Sequence, residues 1–168
     1  MRSAVAMVAI LIALGVQTTL SSQGFANGTS LDLVLIVVVY VAIKSGPSTG
    51  LLAGTVAGLI QDSLTSGILG IGGLAKTLVG FLAGVLGSQF IVTAPLPRFL
   101  LLLMSTVLHA AIFMGLYTLL NLRQFPAPYS SIVAQAFGNA LIGVIAFQVI
   151  EWLPGFVDRR RAGRYLRR

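Results

Sequence analysis

Apolar residues run through this chain in long stretches, and polar or turn-forming residues cut them into six. Ser3 to Leu20 is the first, closed by the polar segment Ser21 to Ser30 with its Gly24, Asn27 and Gly28. Leu31 to Ile43 and Pro47 to Gln61 are shorter and are separated by Lys44-Ser45-Gly46, where Gly and Pro act as turn signals. Ile68 to Val92, Arg98 to Leu120 and Ser130 to Leu153 follow, parted first by Pro95 and Pro97 and then by Pro126 and Pro128. A helix needs roughly 20 apolar residues to cross a bilayer. The pattern therefore predicts about six transmembrane helices, with residues 31–61 forming either two tilted spans or a partly re-entrant hairpin.

Composition fixes the class. Apolar residues make up 57% of the chain and charged residues 9%, with a mean hydropathy of +0.97, whereas soluble domains carry about 25% charged residues. This is an all-α polytopic membrane protein. The absence of cysteine removes disulfides, thiolate metal sites and thiol nucleophiles, and leaves His109 as the lone imidazole.

Charge then divides the chain. The formal charge is +7, but much of it comes from Arg159, Arg160, Arg161, Arg164, Arg167 and Arg168. The reading is an integral membrane domain over residues 1–156 and a basic tail over 157–168, suited to anionic lipid headgroups rather than nucleic acid. Lys and Arg collect in cytoplasmic loops. Arg2, Lys44, Arg98 and the tail arginines fall on one side of a six-span topology and Arg123 on the other, so both termini are expected in the cytoplasm. No small-x-small cleavage site follows the first apolar run, which is expected to remain as an uncleaved helix.

Candidate chemistry centres on Asp62 and Lys76, since ionisable groups beside apolar runs are costly unless paired, hydrated or functional. Asp62 and Lys76 are expected to face each other or to share a hydrated site near the outer surface, the Lys76 stem snorkelling toward Asp62 between antiparallel helices. Gly50, Gly54 and Gly58 lie four apart, as do Gly80, Gly84 and Ser88, and small residues at this spacing let helix backbones approach closely in lipid. Such a seam serves either packing inside the bundle or docking of a second membrane protein. Ser105 with His109, and Gln135 with Asn139, share helix faces and are expected to turn inward. The sequence offers no G-x-S-x-G nucleophile turn, no phosphate-cradling glycine loop, no metal-ligand spacing and no call for a cofactor. Catalysis is not expected.

The segment Gly58-x-x-x-Asp62, then Gly67-Ile68-Leu69-Gly70, then Leu74-Ala75-Lys76-Thr77-Leu78-Val79-Gly80-Phe81, resembles the central signature of the rod-shape-determining MreD family. The resemblance marks Asp62, Gly67, Gly70, Lys76 and Gly80 as motif residues. It implies a scaffold of the bacterial elongation machinery in the inner (cytoplasmic) membrane, partnered with MreC and indirectly with MreB, RodA and a penicillin-binding protein, in support of peptidoglycan synthesis. MreD-like chains are also similar in architecture to the S-components of energy-coupling-factor vitamin transporters. That likeness implies an S-component-like bundle and supplies the alternative of a vitamin-binding subunit, which needs an outward pocket with aromatic and polar walls. An intramembrane enzyme or channel is the third class, and the missing catalytic set counts against it.

Overall fold

The computed structural model describes residues 3–22, 31–65, 68–90, 94–121 and 129–165. Among them are six helices and no strand: α1 (Ser3–Ser22), α2 (Leu33–Ser45), α3 (Pro47–Leu64), α4 (Ile71–Gln89), α5 (Pro95–Leu119) and α6 (Tyr129–Tyr165). Three of them, α4, α5 and the Ser130–Trp152 part of α6, are long and apolar enough to cross a membrane.

The short helix α2 owes its apolar sequence to a different cause. At 1.5 Å per residue its 13 residues reach only about 20 Å, yet it touches each of the other five helices. Val34, Val38, Val39, Val41 and Ala42 are fully inaccessible. A helix that is hydrophobic all round belongs in an interior, and here that interior is protein: α2 is the axis of the bundle. It turns into α3 through Gly46, whose φ of 89° suits glycine, so residues 31–61 form a helical hairpin.

Helices α3 and α4 make the most extensive pairing and run antiparallel. Gly50 packs on the backbone of Gly80, Gly54 on that of Lys76 and Gly58 on that of Gly73. A Cβ added to Gly54 would lie 2.9 Å from the Thr77 nitrogen, and one on Gly84 would lie 2.6 Å from the Pro47 Cα. Thr55 and Thr77 share a 2.8 Å hydrogen bond across the same contact. The glycine seam is thus occupied inside the bundle.

Two boundaries differ from the sequence reading. Pro95 and Pro97 begin α5 rather than preceding it, because the first-turn amides lack intrahelical acceptors in any case and proline forfeits nothing there. Helix α6 continues past Leu153 to Tyr165, so Arg159, Arg160, Arg161 and Arg164 extend the last helix. Arg is a good helix former. Arg167 and Arg168, like Gly67 of the motif, lie outside the described residues.

Candidate functional site: a buried ion pair beside a polar cleft

Asp32 caps the N-terminus of α2, its Oδ1 accepting from the Leu35 amide at 2.9 Å. A carboxylate suits that position because the first amides of a helix point outward unpaired and carry partial positive charge. Since α2 is the bundle axis, the cap is carried inside with it, and Asp32 is only 5% exposed. A carboxylate so placed needs a counter-charge. Lys76 of α4 provides it, with Nζ 2.7 Å from Asp32 Oδ2. Side chains on a helix tilt toward its N-terminus, so the Lys76 stem runs back up α4 toward the level at which α2 begins.

The pair is tied to α5 and α6 as well. Lys76 Nζ lies 3.2 Å from His109 Nε2, and because an ammonium has only donors, that imidazole nitrogen accepts. Asn139 of α6 accepts from the Asp32 amide at 3.0 Å and donates to Thr106 Oγ1 at 3.3 Å. Thr106 donates in turn to the Leu102 carbonyl at 2.9 Å. One polar network therefore joins α2, α4, α5 and α6 inside the bundle.

Asp62 does different work from the expected pairing with Lys76. Its Oδ2 accepts from the amides of Gly70 at 2.8 Å and Gly73 at 3.0 Å, which caps the start of α4. Gly70 itself holds a left-handed φ of 102°. Among the described residues the carboxylate within ion-pair distance of Lys76 is that of Asp32. Asp62 and Lys76 do share a cleft of about 310 Å³, also lined by Asp32, Gln61, His109, Phe113 and Tyr117. The last three follow one another along one face of α5, His109 stacked on Phe113 with ring centroids 6.0 Å apart and Phe113 tilted against Tyr117 at 4.8 Å.

A family model, that of the rod shape-determining protein MreD, matches residues 1–154. The chain belongs to the MreD family. No curated protein and no solved structure matches it. Within this MreD-family fold the residues that carried the resemblance build the α3–α4 hairpin. Gly58 and Gly80 pack backbone to backbone with the opposite helix, Asp62 and Gly70 form the cap of α4, and Lys76 holds the buried pair.

One seam residue is corrected. Ser88 is exposed and bonds back to the Val85 carbonyl at 2.8 Å, while Gly87 takes its place, a Cβ there lying 2.9 Å from Ile43 Cα. With 3.6 residues per turn, a step of seven from Gly80 stays close to its stripe and a step of eight swings off it.

Sequence reasoning also missed a second charged cluster at the opposite end of the bundle. Arg98, 3% exposed, lies 2.8 Å from Glu151 Oε2, and Lys44 lies 2.7 Å from Glu151 Oε1. The Arg98 guanidinium also sits 5.2 Å above the Phe147 ring. Lys44 and Arg98 thus clasp α2 and α5 to α6 rather than merely reaching water. Glu151, placed at the end of the sixth apolar run, was the available signal. Among the described residues no group of three or more His, Cys, Asp or Glu side chains is placed to hold a metal.

Proposed function

We propose that this chain is a non-catalytic scaffold of the cell-elongation machinery, holding MreC in the bacterial inner membrane and thereby supporting peptidoglycan synthesis. Membership of the MreD family, established over residues 1–154, carries this reading and gives the chain its role in rod-shape determination. The packing adds a constraint. With Gly50, Gly54 and Gly58 spent on α4, a partner helix has to meet the apolar outer surface, where residues such as Ile12, Leu141 and Ile145 stand about three-fifths exposed. MreB, RodA and a penicillin-binding protein join through MreC rather than by direct contact.

In this reading the end of the bundle holding Lys44, Arg98 and Glu151 faces the cytoplasm together with both termini, and the tail arginines rest on anionic lipid. Reconstitution tests it. The purified chain in nanodiscs should retain MreC, largely independently of salt because the contact is apolar, and a variant ending at Asp158 should still do so. Failure to retain MreC, together with tight capture of a vitamin, would replace the scaffold by the transporter subunit.

A further inference from the structure

The polar cleft has a chemistry that the scaffold reading leaves unused, and we propose that it binds an organic ammonium group. Its charged and titratable walls are Asp32, Asp62, Lys76 and His109. The Lys76 ammonium is already committed to Asp32 at 2.7 Å and to His109 Nε2 at 3.2 Å. Among the described residues, that leaves Asp62 as the charge without an ionic partner in the cleft. Its Oδ2 is engaged with the amides of Gly70 and Gly73, while Oδ1 lies against Gly72 in the space that a Cβ there would fill.

Next to it, Gln61 Oε1 is buried and has no hydrogen-bond partner among the described residues. A buried acceptor without a donor is an unfavourable state that a ligand N–H relieves. The lining also includes the aromatic rings of Phe113 and Tyr117, with centroids 4.8 Å apart, and aromatic rings attract cations.

These features select among ligand classes. An anion would meet Asp62, the Gln61 carbonyl oxygen and two electron-rich rings, and its one attraction, Lys76, is neutralised by Asp32. A purely apolar guest would leave Gln61 Oε1 unpaired. A protonated amine satisfies carboxylate, amide oxygen and rings together. A cleft of about 310 Å³ lies at the small end of the range for ligand sites, which suits a headgroup-sized molecule. Leu64, Ile68 and Leu69 beside it are 43–64% exposed, so a lipid amine can enter from the membrane as readily as a soluble amine from water.

The test uses the full chain, delipidated in detergent. Native mass spectrometry with phosphatidylethanolamine against phosphatidylglycerol probes the lipid source, and thermal-shift titration with ethanolamine and putrescine against acetate at matched ionic strength probes the soluble one. The wild-type chain should prefer the amine in at least one arm. Gln61→Leu and Phe113→Leu, which leave the α4 cap intact, should each weaken it at least tenfold, and Gln61→Glu should tighten it. Preference for phosphatidylethanolamine alone assigns a lipid headgroup; stabilisation by ethanolamine or putrescine assigns a soluble amine. Equal retention of the two lipids with no amine stabilisation, or amine binding unchanged in both Gln61→Leu and Phe113→Leu, overturns the proposal.

Discussion

Lys76 and Asp32 are each nearly inaccessible, 2% and 5% exposed, so either charge left alone would sit uncompensated inside the bundle. Lys76→Met or Asp32→Leu should each cost about 3–5 kcal/mol, whereas the double variant, with both charges gone, should recover most of that loss. Unfolding in detergent measures the cycle, and simple addition of the two single losses would show that the pair is not what holds these groups. Lys44→Met should do less than Lys76→Met, because Lys44 and Glu151 are both more than a third exposed and such pairs contribute about 0–1 kcal/mol. Gly72→Ala makes a separate point. Its methyl would collide with the Asp62 carboxylate and unseat the α4 cap, at a cost of about 0.5–2 kcal/mol, and faster amide exchange at Gly70 and Gly73 would report it. That Asp62 and Lys76 matter was legible from their isolation among apolar residues. That they serve different partners was not, because Asp32 stands at the start of the second apolar run, far in sequence from both.

At the scale of elements, the α3–α4 seam sets what the hairpin tolerates. Gly54→Leu would force its side chain into the Lys76 and Thr77 backbone, separating helices whose association in lipid depends on close van der Waals contact. The expected outcome is loss of folded protein in the membrane fraction rather than normal protein lacking its partner. Normal abundance of Gly54→Leu would mean that the seam is not packed as described. Gly87→Leu should behave like Gly54→Leu, and Ser88→Leu should be tolerated, since Ser88 faces outward. Comparing the two in expression and melting separates the seven-residue from the eight-residue step. Spacing alone exposed the glycine stripe, but which residue continues it beyond Gly84 depends on how two particular helices cross.

Across the whole molecule, the two charged clusters lie at opposite ends of the bundle, and the chain has no native cysteine to confuse labelling. Ser48 and Ser63, near the two ends of α3, are both exposed. In intact cells an impermeant maleimide should label Ser63→Cys and not Ser48→Cys if the Lys44 end is cytoplasmic; the reverse pattern would invert the proposed topology. The sequence by itself determined the membrane class, the six apolar segments and most of their bounds, and the hairpin that carries the family signature. These follow from local hydropathy, turn residues and helix spacing, which each segment expresses regardless of its neighbours. Only the tertiary structure decided that α2 is the buried axis of the bundle, that its Asp32 cap meets Lys76, that Arg98 and Lys44 clasp Glu151, and that Gln61, Asp62, Phe113 and Tyr117 line one cleft. Those contacts join residues far apart in the chain, and they are set by the depth at which one helix ends beside the middle of another, a quantity that no single segment encodes.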